Sequence, residues 1–277
     1  MPSGGEQALY AKTYASWLEA LQVAKVDTMG LTYTAGRVEG LEILVVDEAE
    51  DLLDRTLYDY LTESFPTYHN LLDEPNRLLQ AARTETNEEA KGELFEKFVA
   101  AAFSRLGFSA RIRDGSREQK LNLTFQRKGG GDVGLFCHFP IVAGGDTKPG
   151  CAIACEAKST NGAIGSRAVA QARNLTVKIR EAYSKYALHT IVMSGKNALY
   201  DPSGREQAPP EVLHLTDEML LDILGIQVKL ANKRQKLITP LTIMTTLDDL
   251  MTSEKLEPTQ EEVTKMIESK IKHDDTK

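Results

Sequence analysis

Three charged residues sit inside apolar, strand-like runs: Asp132 in "GGGDVGLF", beginning at Gly129, and Glu156 and Lys158 in "CAIACEAKST", beginning at Cys151. A charge in such a run is expensive to bury without a partner, so each of the three calls for one. Side chains alternate across a strand, which puts Ala152, Ala154, Glu156 and Lys158 on one face and Cys151, Ile153, Cys155 and Ala157 on the other. In the first run, Gly134, Phe136 and His138 fall with Asp132, while Val133, Leu135, Cys137 and Phe139 make an apolar face. If the two strands pair as a hairpin across "PIVAGGDTKPG", one register sets Asp132 near Glu156. Two carboxylates at one spot repel unless a divalent cation lies between them, and oxygen ligands suit magnesium or manganese. At a phosphodiester such a centre neutralises oxygens, acidifies a bound water and steadies the leaving group. Lys158 would hold the water and add positive charge where the transition state becomes more negative. A salt bridge among exposed strand-edge charges, worth about 0 to 1 kcal/mol, accounts for the same residues, and these three alone leave both readings open.

The surrounding elements must position them. "TNEEAKGELFEKFVAAAFSRLGF" carries Leu94, Phe95, Phe98, Val99, Ala102, Phe103 and Leu106 at three- and four-residue steps, a core-facing helix with Gly107 at its end and Glu96 at the edge of the stripe. Strands are expected at about 108–113, 121–127, 132–139 and 151–158. A helix over about 166–185 leads to a buried strand, "LHTIVMS", from Leu188. A further helix is expected from Thr216, then a strand near Thr242 to Thr245 and two short helices, with the charged tail "ESKIKHDDTK" fraying. Ahead of this unit, Tyr10, Tyr14, Trp17, Leu18 and Leu21 predict an amphipathic helix over 6–24. "LTYTAGRVEGLEILVVD" reads as a short hairpin or pair of strands, and a second helix as running from about Glu48 to Ser64. Pro66 and Pro75 break the pattern, so the chain divides into a small, mostly helical α/β accessory unit, 1–85, and a main α/β domain, 86–277.

At 277 residues, with 42% hydrophobic and 26% charged, the composition is that of a globular protein. No run approaches the roughly 18 to 20 apolar residues that span a bilayer, and "MPSGGEQALY" lacks the regions of a signal peptide, so a soluble, cytoplasmic protein without membrane contact is expected. The net charge of -7 is uneven: residues 1–85 hold 15 acids and 6 bases, the remainder 25 acids and 27 bases. From Arg105 to Lys128 there are seven Lys or Arg against two acids, leaving the main domain able to approach a polyanion. Cys137, Cys151 and Cys155 are an odd set with no export signal and read as reduced, buried small hydrophobes, not as a zinc site. The histidines His69, His138, His189, His214 and His273 show no metal-ligand spacing, and His138 lies roughly 20 Å along the strand from Asp132. "ILVVDEAED" has the form of a Walker B strand ending at Asp47, but no GxxxxGK[ST] loop accompanies it, so no nucleotide cofactor is expected.

The ordered set resembles the PD...(D/E)xK nuclease superfamily: "GELFEKFVAAAFSRLGF" is similar to its opening helix, "GDVGLF" to its aspartate strand and "CEAKST" to its (D/E)xK strand. "AVAQARNLTVKIREA" and "IVMSGK" bring the likeness nearest to the cleavage domain of FokI-like type IIS restriction endonucleases, over roughly residues 86–268. Gly131 stands where the motif usually has proline, and the long gap from Asp132 to Glu156 implies an insertion around Ala143 to Gly150, able to touch DNA through Lys148 or to cap the sheet. The resemblance implies a restriction-endonuclease-like core, a mixed central sheet flanked by helices. It implies Asp132, Glu156 and Ala157 as magnesium ligands, with manganese able to substitute. It further implies Lys158 as catalytic lysine, Glu96 as accessory carboxylate and Gln171 as a supporting polar residue. The implied activity is magnesium-dependent hydrolysis of double-stranded DNA by a type II restriction enzyme, or one subunit of one, paired as a homodimer or heterodimer because one centre cuts one strand. A structure-specific repair or recombination nuclease and a non-catalytic DNA-binding subunit are the alternatives.

Overall fold

The computed structural model describes residues 24–27, 30–33, 41–112, 132–139, 141–143, 146–208 and 211–274. The helix expected over 6–24 and the strand over 121–127 lie outside them. A hairpin of β1 (Ala24–Asp27) and β2 (Gly30–Tyr33) precedes a long helix, α1 (Leu41–Ser64). The apolar run Ile43–Val46 thus begins a helix rather than ending a strand, because four apolar residues are equally compatible with either. Asp47 lies inside that helix, so the strand-end geometry of a Walker B motif is absent there.

The segment 65–85 holds a 3-10 turn (Tyr68–Leu71) and α2 (Asp73–Thr84). Pro75 does not break the helix: it stands in the first turn, where its missing N–H has no intrahelical partner to lose. Leu53, Leu57 and Leu61 of α1, Leu71, and Leu79 and Ala82 of α2 bury into the same apolar core as α3 (Glu88–Ser104). Asn87 caps α3 by accepting from the N–H groups of Glu89 and Ala90, both at 3.0 Å. The chain leaves α3 through Gly107, whose φ of 86° is open to glycine and strained for other residues.

The centre is a mixed five-stranded sheet in the order β11-β9-β7-β4-β3, with helices on both faces. Its strands are β3 (Ser109–Ile112), β4 (Asp132–Cys137), β7 (Cys151–Lys158), β9 (Ala187–Ser194) and β11 (Val212–Thr216). β7, β9 and β11 are parallel; β4 is antiparallel to both β7 and β3. Between β4 and β7, the expected insertion forms its own hairpin, β5 (Ile141–Ala143) with β6 (Asp146–Lys148). A two-residue ladder joins β8 (Ala163–Ile164) to β10 (Leu199–Tyr200). The helices that follow are α4 (Ser166–Ala182), α5 (Pro202–Gln207), α6 (Asp217–Lys233), α7 (Pro240–Thr252) and α8 (Gln260–Asp274).

Two further expectations are corrected. Thr242–Thr245 is helical: Thr239 caps α7, Pro240 opens it, and Ile243, Met244, Leu247 and Leu250 are buried at helical spacing. The last strand is instead β11, five residues buried on both faces and too short for their pattern to announce it. The tail expected to fray is helical as far as Asp274. Among the described residues no helix is long and apolar enough to cross a membrane.

Candidate active site

The clusters on the two sheet faces follow strand alternation. Cys151, Ile153, Cys155 and Ala157 join the large core with Phe95, Phe98 and Val99 of α3. Ala152, Ala154 and Phe136 form a smaller core with Leu175 and Ile179 of α4. The small side chains Ala152 and Ala154 suit a face against which α4 lies, with Ala168 and Ala172 buried on the helix itself. Gly134 has a similar reason: a Cβ there would stand 2.8 Å from the Phe136 ring.

Glu156 and Lys158 continue the α4-facing set to the carboxyl end of β7, the end at which open α/β sheets bind ligands. The Glu156 side chain is completely buried and that of Lys158 is 27% exposed. Lys158 Nζ lies 2.5 Å from Glu156 Oε1 and donates to Gln171 Oε1, on α4, at 3.0 Å. A buried carboxylate is tolerated when a charge and hydrogen bonds replace its lost water, and the ammonium supplies the charge here. Two acceptors on different elements, β7 and α4, aim one lysine.

Asp132 is the register partner of Glu156, so the β4–β7 hairpin adopts the pairing that the two motifs suggested. Directly opposed residues in an antiparallel pair share a face. Ala157 stands one position beyond the last β4–β7 pair and is paired with Met193 on the other side. Its only possible metal donor is its carbonyl oxygen. Glu96 is buried on α3, the helix that packs on the opposite sheet face from α4. The structure therefore brings Glu156, Lys158 and Gln171 into contact, aligns Asp132 with Glu156 through the backbone, and sets Glu96 in the layer behind them.

Among the described side chains no group of three or more His, Cys, Asp or Glu is arranged to hold a metal ion. The register brings Asp132, Glu156 and the Ala157 backbone to one strand end, residues whose donor atoms are oxygens of the kind that suit magnesium or manganese. No thiol or imidazole belongs to this group. Cys137 and Cys151 are opposed in register at the far end of the hairpin, and all three cysteines are buried thiols outside any disulfide. Burial and the neighbouring Cys137 push the Cys151 thiol well above its ordinary range. His138 is at that far end too, its Nδ1 2.7 Å from the Tyr186 hydroxyl; burial, aided by the charge of Arg111, pushes its pKa down to about 4.

Ser194 and Gly195, from the run "IVMSGK" that ends β9, complete the strand end. Ser194 is the register partner of Lys158. The next residue, Gly195, donates from its N–H to the Thr160 carbonyl at 2.8 Å, and a Cβ on it would fall 1.9 Å from Asn161 Oδ1 and 2.7 Å from the Thr160 oxygen. The Ser-Gly pair after a buried strand was the available signal for this close approach. The sequence matches no protein-family model, and no curated protein matches it significantly.

Proposed function

We propose that the protein is a magnesium-dependent DNA endonuclease, a type II restriction enzyme or one subunit of one, that hydrolyses phosphodiesters of duplex DNA. The observation that carries this reading is Lys158, held by Glu156 and Gln171 at the end of a strand whose register sets Asp132 opposite Glu156. Asp132, Glu156 and the Ala157 carbonyl would hold the metal, which supplies Lewis-acid stabilisation of the phosphate and acidification of water. The chain's own contribution is positional. Glu156 keeps the Lys158 ammonium beside the carboxylates, and Gln171 fixes its direction from α4. Lys158 is partly exposed and so can reach a water and a phosphate oxygen, adding positive charge as negative charge develops in the transition state. Glu96, on α3, would be the accessory carboxylate. One such centre cuts one strand, so a double-strand break takes a dimer or a partner subunit, and the acidic residues 1–85 suit contact with protein better than with phosphate.

Incubating the purified protein with a long mixed-sequence duplex, in magnesium and separately in EDTA, and sequencing the product ends tests this. Magnesium-dependent ends sharing one flanking sequence are the expected result, lost by at least about a hundredfold in Lys158→Ala and Glu156→Ala. Ends at junctions or flaps would reassign the protein as a structure-specific nuclease. DNA bound but left intact with every metal would make it a non-catalytic subunit, and undiminished cleavage by Glu156→Ala would refute the assignment.

A further inference from the structure

Next to Lys158 runs a second set of polar groups that the proposed chemistry does not use. Ser194 Oγ is 2.6 Å from His214 Nε2, and His214 Nδ1 is 3.8 Å from Glu257 Oε1. The order Ser, His, Glu is that of a hydrolase triad, but a nucleophile must meet its substrate, and Ser194 is completely buried. His214 is 2% exposed, and 3.8 Å is too long for the hydrogen bond that orients a catalytic imidazole.

The same geometry suits a mechanical role. Lys158 and Ser194 are the last register pair of β7 and β9, followed at once by the Gly195 to Thr160 backbone bond. Ser194 is therefore the lateral neighbour of the site lysine, and the residue after it ties β9 to the turn that follows β7. Parallel neighbours in register share a face, which places Ser194 and, two residues before Thr216 on β11, His214 on the Lys158 side of the sheet. Behind His214, the Leu256 carbonyl accepts its N–H at 2.8 Å, closing the free edge of β11. Glu257 accepts from the Tyr200 N–H at 2.6 Å and from Arg205 at 2.5 Å, so its carboxylate is anchored on two elements before it reaches the imidazole. The Tyr200 ring lies 5.3 Å from that of His214, leaving the imidazole little freedom. Burial holds His214 down to about 4, so a neutral ring faces Ser194 at neutral pH.

We propose that His214 is a positioning residue for the nuclease site: by holding Ser194 it fixes the end of β9 and, through the shared register, the strand end that presents Lys158. This rests on the nuclease reading above. Displacement of reacting groups by about 1 Å costs on the order of a hundredfold in rate, so a loosened strand end should show mainly in kcat.

The test uses Ser194→Ala, His214→Phe and their combination in the full-length protein, with His214→Gln as the conservative variant whose amide still reaches Ser194. Cleavage of a duplex in magnesium should lose about tenfold to a hundredfold in kcat for each single change with KM within about twofold. The double variant should be no worse than the poorer single, as expected of residues acting as a unit, and His214→Gln should recover most of the loss. A kcat within about twofold of the parent in variants that melt cooperatively would reduce the group to a satisfied buried histidine. Amide hydrogen exchange, which needs no DNA, separates this proposal from the nuclease reading. In Ser194→Ala, exchange at Lys158 to Thr160 should quicken at least about tenfold while Ile153 and Cys155 stay protected. Unchanged exchange at Lys158 to Thr160 would overturn the positioning role even if the parent cuts DNA, whereas faster exchange in a protein that cuts nothing would sustain the hold of Ser194 on the Lys158 strand end and overturn the nuclease reading, and with it the role in cleavage.

Discussion

The Glu156–Lys158 pair offers a thermodynamic test that does not depend on catalysis. Replacing Lys158 by Met keeps most of the side-chain length and removes the charge, leaving Glu156 as a buried carboxylate without the ammonium 2.5 Å away. Breaking a buried pair by removing one partner costs about 3 to 5 kcal/mol. Since the Lys158 side chain keeps 27% exposure, the lower end applies, about 3 kcal/mol. Set against a typical stability of about 5 to 15 kcal/mol, that is a large share, and with a urea slope of about 3 kcal/mol/M it moves the midpoint down by about 1 M. Glu156→Gln combined with Lys158→Met removes both charges, and a neutral buried pair should recover at least about 1.5 kcal/mol of the single-variant loss. Urea titrations of parent, both singles and the double variant in EDTA complete the cycle without divalent ions. A Lys158→Met cost below about 0.5 kcal/mol, the size expected for exposed pairs, would refute the buried-pair argument and favour a strand-edge salt bridge.

Other outcomes follow from the same structure. Gln227 is fully buried, donates to the Arg105 and Ile238 carbonyls at 3.3 and 3.1 Å and accepts from the Ile238 N–H at 2.8 Å; Gln227→Leu should cost about 2 to 4 kcal/mol in urea unfolding, and an unchanged midpoint would contradict this. His138 and His214 have folded values near 4 against an ordinary 6.5, so the unfolded chain binds more protons between those limits. Their contribution is complete above about pH 6.5 and is lost as pH falls toward 4, at most about 3 kcal/mol each. Stability measured at half-unit steps should decline across that window and less steeply in His138→Phe; a flat profile would show that neither ring is held neutral. The three buried thiols should resist a disulfide-exchange reagent in native protein and react on unfolding, and prompt native labelling would disprove their burial.

Much of the site was legible because strands impose a period of two that motif spacing respects. "CAIACEAK" carries its small and charged residues at alternate positions, and the strand found there spans Cys151–Lys158 with Glu156 and Lys158 on the α4 face. The hairpin adopts the one register that sets Asp132 opposite Glu156, and Gln171, which only the family resemblance implied, meets Lys158 from the following helix. What escaped was whatever lacks a period. Ile43–Val46 is four apolar residues and Val212–Thr216 only five residues with a His and a Thr among them, runs too short for a period to separate helix from strand. Thr242–Thr245 has strand-favouring residues, yet Thr239, Pro240 and the buried Ile243, Met244 and Leu247 make it helical. Ser194 is on β9, His214 on β11 and Glu257 in the connection between α7 and α8, and nothing in their spacing along the chain brings them together.

The sheet's topology also bears on the order in which the chain can become safe from aggregation. Asp132, Glu156, Lys158 and Gln171 belong to one hairpin and the helix after it, so these groups are all in place before about a hundred C-terminal residues have been synthesised. The β4–β7 hairpin closes over residues 138–150, whereas β9 and β11 join in parallel and only after longer crossovers. Until β9 arrives, β7 is an edge strand with a nearly continuous apolar sequence and a row of unpaired backbone groups. A nascent or truncated chain ending before Ala187 therefore carries Glu156 and Lys158 on the strand most exposed to pairing with a second chain.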